Sequence, residues 1–187
     1  DQSEHPVSEA FSADELKRFF EALCDRFLLW ARAALAHRRD RDAALEALEF
    51  PQLPFRPGQR ELATAVYRAC EQSRPLLVQA PTGIGKTIGT IYPALRAMPV
   101  RSIDKLFFLT AKTPGRQVAL DALGKIRNNS SSSHGFPLRV VELMAKDKAC
   151  EHKDKACHGQ SCPLACGFYD RLAAARRAAA AAGWLDR

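Results

Sequence analysis

The sequence predicts an α/β fold, a parallel sheet flanked by helices, because apolar strand-like runs alternate with helical stretches. Residues 76–79 form a short apolar run bounded by prolines, and residues 105–110 form a second run of the same kind. Both are typical of buried strands. Residues 86–97 and 116–126 carry helical patterns, and strand, helix, strand, helix is how a parallel sheet begins. We predict a third strand at residues 138–144.

A helical segment is predicted at residues 1–50, ahead of this sheet. Ser12 and Glu15 have the spacing of a capping box, which starts a helix. Apolar residues then recur at steps of three and four, as they do on one helix face. These residues are Leu16, Phe19, Phe20, Leu23, Phe27, Trp30 and Ala34. We expect the stripe to last to about His37 and a second short helix to cover residues 41–48.

Two further boundaries divide the rest of the chain. Residues 50–55 are rich in proline, which disfavours helix in the preceding residue, and so mark the start of the α/β domain. That domain is predicted to cover residues 51–149. Residues 150–187 are predicted to begin a small cysteine-rich domain.

The charge of the chain is basic and unevenly distributed. The formal net charge is +7, and residues 96–127 alone carry seven Lys or Arg against two Asp or Glu. Such a stretch suits a polyanionic partner, although a solvated basic face explains it equally well. No run of 18 apolar residues is present, and residues 1–10 do not have the pattern of a signal peptide. We therefore expect no membrane span and a cytoplasmic protein.

The strongest motif is an eight-residue phosphate-binding loop between a predicted strand and a predicted helix, the context that a P-loop requires. Gly83 and Gly85 lack side chains, so their amides can approach phosphate oxygens closely, and the helix dipole also favours an anion there. Lys86 is expected to reach the β- and γ-phosphates of ATP, and Thr87 to hold Mg²⁺. The loop comprises Ala80, Pro81, Thr82, Gly83, Ile84, Gly85, Lys86 and Thr87.

A second nucleotide-binding element precedes this loop by about twenty residues, in the sequence F-R-P-G-Q that contains Arg56 and Gln59. A glutamine amide both donates and accepts hydrogen bonds, as the edge of adenine requires. Without the loop, Gln59 would be read as an ordinary residue at a helix N-terminus.

Together, residues 55–60 (F-R-P-G-Q-R) and 80–87 (A-P-T-G-I-G-K-T) resemble the XPD/DinG-type iron–sulfur DNA helicases of superfamily 2, in their bacterial branch. The resemblance covers roughly residues 50–187. It implies a partial RecA-like P-loop sheet and an ATP-dependent enzyme that moves 5′ to 3′ on single-stranded DNA. It further implies unwinding of forked duplexes in repair or replication, near the bacterial nucleoid. No protein partner is indicated.

The same resemblance implies a contact with the DNA backbone after the second strand, at residues 109–113. Contacts of this kind position a strand without reading its sequence. For each residue the alternative is an ordinary strand-to-helix loop. The candidate residues are Thr110, Lys112, Thr113 and Arg116.

Four of the six cysteines crowd into 17 residues, which favours metal binding over disulfides. Four thiolates can hold either tetrahedral Zn²⁺ or a [4Fe–4S] cluster, and spacing alone does not decide between them. The family resemblance implies the [4Fe–4S] cluster, because such helicases insert one after the P-loop. The candidate ligands are Cys150, Cys157, Cys162 and Cys166.

The printed sequence lacks the D-E-x-[HD] motif that would supply the Mg²⁺-holding aspartate and the water-activating glutamate. We therefore expect this chain by itself not to hydrolyse ATP rapidly. Three alternatives stay open. One is a P-loop ATPase with a zinc-binding nucleic-acid-binding module, and the second is a P-loop kinase or small-molecule ATPase. The last is a purely structural interaction module, against which the P-loop argues.

Overall fold

A computed structural model describes residues 8–111, 113–130, 136–152, 154 and 156–185. The chain divides into two compact units, residues 1–40 and residues 41–187. The elements in chain order are α1 (Ala13–Glu46), α2 (Gln59–Glu71), α3 (Lys86–Arg101), α4 (Thr113–Asn128), β1 (Val140–Val141), α5 (Lys146–Ala149), α6 (Phe168–Ala182) and β2 (Trp184–Leu185).

Helix α1 begins at the predicted capping box. The backbone N–H of Ser12 donates to Glu15 Oε2 at 2.8 Å, and the Glu15 N–H donates back to Ser12 Oγ at 3.3 Å. These bonds hold the pKa of Glu15 below its ordinary value. The expected break near His37 is absent, and α1 continues to Glu46. The stretch between the two expected helices contains neither glycine nor proline, so nothing in the backbone stops the helix there.

The core of the second unit forms around α3. Ile91 and Leu95 are almost fully buried and pack in one cluster with Ile126 of α4 and Leu45 of α1. Phe50 meets the ring of Tyr92 edge-on at 5.1 Å between centroids. Burial of these apolar side chains is the main stabilising contribution to this unit.

Two side chains of α3 hold the C-terminal end of α1. Arg96 Nη1 donates to the carbonyl of Leu45 at 3.0 Å and also to the carbonyl of Glu46. One turn earlier, the hydroxyl of Tyr92 donates to the carbonyl of Leu48 at 3.0 Å. The Leu45 carbonyl also accepts the Leu48 N–H at 3.3 Å, so α3 adds donors to carbonyls at the end of α1 that have few partners within the helix.

A buried arginine links the same end of α1 to the segment after α3. Arg41 is 6% exposed and pairs with Asp42 at 2.6 Å. Its guanidinium also donates to the carbonyls of Ile103 and Asp104, each at 3.1 Å. Several hydrogen bonds compensate the cost of burying this charge.

The helices α3 and α4 form where the sequence predicts them but are longer, and α4 covers Thr113–Asn128 rather than residues 116–126. Helix α3 was expected to stop before Pro99, but it runs on to Arg101 and ends at Ser102, which has φ 53°. Pro99 has no N–H, so one hydrogen bond of the last turn is missing. The helix still continues to Arg101, and the Ser102 N–H donates to the carbonyls of Met98 and Pro99.

Within the described residues, the one paired sheet joins β1 and β2 in parallel, with Val140 opposite Trp184 and Val141 opposite Leu185. The runs at residues 76–79 and 105–110 form neither helix nor turn and pair with no other described strand. Their side chains are correspondingly open, since Leu77 is 100% exposed and Leu109 is 88% exposed. A β-strand forms its hydrogen bonds with a neighbouring strand. Because neither run has such a neighbour among the described residues, the RecA-like sheet remains a prediction.

No helix among the described residues is both long enough and apolar enough to cross a membrane.

Candidate nucleotide-binding site

The phosphate-binding loop joins the apolar run at residues 76–79 to the first turn of α3. Gly83 has φ 86° and Gly85 has φ 82°, a left-handed conformation that glycine adopts without strain. Gly85 is the N-cap of α3, so the helix begins at Lys86. N–H groups in the first turn of a helix have no partner within the helix, so those at Lys86 and Thr87 suit the phosphate that the motif predicts.

Gln59 lies directly against this loop. Its side chain is fully buried at the start of α2, and its Oε1 accepts the backbone N–H of Arg56 at 3.1 Å. A β-carbon at Gly85 would collide with Gln59 Nε2. That nitrogen is buried and donates to no partner within the described residues. An unsatisfied buried donor is costly, which is one mark of a group kept for a ligand.

Arg56 makes a second contact with the loop, because its Nη1 donates to the carbonyl of Gly83. The side chain is exposed, so the guanidinium reaches the loop from its open side. The two residues that the sequence singled out upstream therefore meet the P-loop at two different glycines.

Lys86 is bonded to the loop itself. Its Nζ donates to the carbonyl of Ala80 at 3.0 Å and to that of Pro81 at 2.8 Å. The ammonium therefore lies inside the curve of the loop, where the sequence predicted a phosphate. Thr87 follows in the first turn of α3 and is half-buried.

A cleft of about 210 Å³ opens beside the loop and is closed on its far side by α4. A larger hollow of about 430 Å³ runs along α4 alone and touches no loop residue. The cleft walls that the sequence did not predict come from Gln52 and from Asp121 and Lys125 of α4. Only the packing of α4 on α3 reveals them, because nothing in their spacing points to a nucleotide. The residues lining the cleft are Gln52, Arg56, Gly85, Thr87, Ile88, Val118, Asp121, Ala122 and Lys125.

The predicted DNA-contacting residues lie around the start of α4. Thr110 is exposed, and its side chain packs on Gly115. Thr113 is the first residue of α4, and Lys112 lies outside the described residues. Arg116 forms an ion pair with the nearly buried Glu142. The charge of Arg116 compensates that of Glu142, although Oε1 of Glu142 accepts no hydrogen bond of regular geometry within the described residues. A phosphate would compete with that carboxylate for Arg116.

The four predicted metal ligands do not converge. Cys162 is buried, and Cys166 lies one turn later, with its N–H donating to the Cys162 carbonyl at 3.1 Å. Cys150 is half-buried and Cys157 is exposed. Among the residues that the structure describes, no three His, Cys, Asp or Glu side chains are arranged to hold a metal ion. The geometry therefore does not fit the group, and the metal remains a prediction from spacing and resemblance.

Comparison with known proteins finds two partial relatives. The chain is 30% identical over 118 residues to the probable ATP-dependent helicase MJ0942 of Methanocaldococcus jannaschii, across 62% of this chain. It is 47% identical over 51 residues to the ATP-dependent DNA helicase YoaA of Escherichia coli, across 27% of this chain. The matches span only 16% and 8% of those two proteins.

No protein-family model matches the chain, and no solved structure matches it. The two partial similarities support a relationship with ATP-dependent helicases at a coarse level.

Proposed function

We propose that the chain is part of an ATP-dependent DNA helicase of the XPD/DinG type and that residues 56–87 bind its ATP. The observation that carries this proposal is the buried amide of Gln59, which lies against Gly85 with an unused donor. A side chain able to read adenine and the loop expected to hold phosphate are thus parts of one packed site.

Each residue of the site has a role in this proposal. Lys86 exchanges its two loop carbonyls for the β- and γ-phosphates, and Thr87 holds Mg²⁺ through its hydroxyl. When bound, Mg²⁺ neutralises charge on the phosphates. Gln59 reads the adenine edge, and Arg56 keeps the loop in place through the Gly83 carbonyl.

We further propose that the exposed face near the start of α4 contacts the backbone of single-stranded DNA. The basic stretch at residues 96–127 and the similarity to a DNA helicase over part of the chain support this. Thr110, Lys112, Thr113 and Arg116 are the candidate contacts. The proposal includes 5′ to 3′ movement, unwinding of forked duplexes, and a RecA-like sheet to which residues 76–79 and 105–110 contribute strands.

Nucleotide binding by the purified chain tests the site. A fluorescent ATP analogue should bind, and Lys86→Ala should weaken its binding by about 10-fold or more, since a charge-assisted contact is lost. Lys148→Ala removes an exposed lysine outside the loop and should leave the affinity unchanged. Gln59→Ala should reduce the preference for the ATP analogue over its GTP counterpart. Binding that survives Lys86→Ala would refute the assignment.

The cysteine-rich segment is proposed to hold a [4Fe–4S] cluster, with Zn²⁺ as the alternative. Iron, sulfide and zinc are assayed in protein purified without oxygen. Iron and sulfide that are lost in Cys157→Ser and Cys162→Ser, but kept in Cys24→Ser, support the cluster. Stoichiometric zinc without iron favours the zinc-module ATPase instead. Protein that contains neither iron nor zinc would contradict both metal-binding hypotheses for the cysteines.

A further inference from the structure

The outer face of α1 in the first unit carries a heptad seam. Apolar residues alternate at steps of four and three over about two and a half heptads, the pattern of the a and d positions in a coiled coil. The residues are Leu16, Phe20, Leu23, Phe27, Trp30 and Ala34. The opposite positions, seven residues apart, are all charged: Arg18, Asp25, Arg32 and Arg39.

This seam is exposed. Phe20 and Trp30 are each 65% exposed, Phe27 is 61% exposed and Leu23 is 43% exposed. Phe27 and Trp30 contact each other along the helix, with ring centroids 5.8 Å apart. Soluble proteins rarely expose a contiguous patch of aromatic rings of this kind unless it marks an interaction surface.

We propose that this seam pairs with the same seam of a second copy of the chain, in antiparallel orientation. If the two antiparallel helices are centred on residue 25, each seam residue faces the residue of the other copy whose number brings the sum to 50. Phe20 of one copy meets Trp30 of the other, Leu23 meets Phe27, and Leu16 meets the smaller Ala34. Large side chains thus meet partners of different shape rather than copies of themselves.

The charge along α1 favours this orientation. Residues 13–25 carry four acidic side chains against two basic ones, whereas residues 26–40 carry four arginines against one aspartate. An antiparallel pair places the acidic half of each helix along the basic half of the other. A parallel pair would place like-charged halves side by side.

The area of the seam approaches that of a specific interface. Phe20, Phe27 and Trp30 are 61–65% exposed, so each offers roughly 100–150 Å² of the 150–250 Å² that an aromatic side chain can bury. Two copies therefore contribute about 750 Å² from these rings. The leucines raise the total towards the roughly 1,200 Å² of a specific interface.

Sedimentation of the whole 187-residue chain over a range of concentrations tests the pairing. We expect a monomer–dimer equilibrium that Leu23→Glu weakens by at least about 100-fold, because the substitution buries a charge in the seam. Leu29→Glu makes the same chemical change at an exposed residue outside the seam and should leave the equilibrium unchanged. A chain that stays monomeric, as it would if the seam packed on another segment of a longer polypeptide, overturns the proposal. So does equal weakening by both variants.

Two further measurements keep the test interpretable. Circular dichroism shows whether Leu23→Glu is still helical, and nucleotide binding shows whether the second unit, residues 41–187, is intact. If Leu23→Glu is misfolded, Phe27→Ser supplies the same test with a neutral side chain. Raising the salt concentration should weaken an antiparallel dimer, whereas a dimer that salt strengthens has the opposite orientation and contradicts the arrangement.

Discussion

The side-chain nitrogen of Gln59 occupies the space that a β-carbon at residue 85 would need. Gly85 is therefore required twice, once for its left-handed backbone and once for its missing side chain. The start of α2 and the start of α3 consequently share one packed contact, so a change at either residue should disturb the other.

Gly85→Ala should damage the site more than Gly83→Ala does. Both substitutions force alanine into a left-handed conformation, which costs about 1–2 kcal/mol. Only Gly85→Ala also displaces the buried Gln59, because a β-carbon at Gly83 meets nothing within 4 Å. We expect a further loss of about 1–3 kcal/mol in the free energy of unfolding from this overpacking. Denaturant unfolding of both variants measures the difference.

The double variant Gly85→Ala/Gln59→Ala isolates the collision. Removing the Gln59 side chain should restore part of the stability that Gly85→Ala loses beyond Gly83→Ala. Strict additivity of the two changes would show that the contact is not the cause.

Arg96→Met should destabilise the second unit, because it removes the donor that holds the last carbonyls of α1. Methionine keeps most of the apolar stem, so the loss reflects the hydrogen bonds and should be about 1.5–3 kcal/mol. Arg101→Met on the same helix removes only an exposed bond to Ser73 and serves as the control. Thermal unfolding compares the two. Equal effects would mean that the end of α1 does not depend on Arg96.

Tyr92 should make stability depend on alkaline pH. Burial raises the pKa of this phenol, with a smaller opposing effect from Arg96 and a supporting one from Glu49. Because the folded pKa lies above the unfolded value of about 10, the contribution is complete below pH 10 and is lost as pH rises through the folded pKa. The free energy of unfolding of the unsubstituted chain should thus fall above pH 10.

Tyr92→Phe provides the comparison, since it removes the titrating group and the bond to Leu48. Its stability should be lower by about 0.5–1.5 kcal/mol at neutral pH. The gap between the two proteins should narrow as pH rises above 10. A gap that stays constant would assign the alkaline loss to other groups.

Arg116→Ala should destabilise the protein whether or not Arg116 contacts DNA. The substitution leaves the nearly buried carboxylate of Glu142 without its cation, and breaking a buried pair costs about 3–5 kcal/mol, less here because Arg116 is 34% exposed. Adding Glu142→Gln removes the unpaired charge and should recover much of that loss. Denaturant unfolding of the single and double variants gives the coupling energy.

Binding of single-stranded DNA by the same two variants separates structure from function. If Arg116 contacts the backbone, the double variant regains stability but still binds DNA weakly, with a shallower dependence on salt. Recovery of both properties together would assign Arg116 a purely structural role.

The local features of this protein could be predicted from its sequence, whereas the longer-range ones could not. The capping box at Ser12 and Glu15, and the helix that starts at Lys86, depend on neighbours within a few residues. The burial of Gln59 and the closing of the cleft by Lys125 depend on how helices pack, which periodicity does not encode. Strand pairing also depends on distant partners, so the sheet predicted to include residues 76–79 stays a prediction.

The bonds of Lys86 to the carbonyls of Ala80 and Pro81 would make phosphate binding at the proposed site an exchange of hydrogen-bond partners. An ammonium has three N–H donors, and two of those of Lys86 are already bonded to these carbonyls. A phosphate that takes over those two donors would therefore gain only the difference between the new hydrogen bonds and the old ones. The measured affinity then reports a difference between two sets of hydrogen bonds. After product release from the proposed site, Lys86 would return to the carbonyls of Ala80 and Pro81.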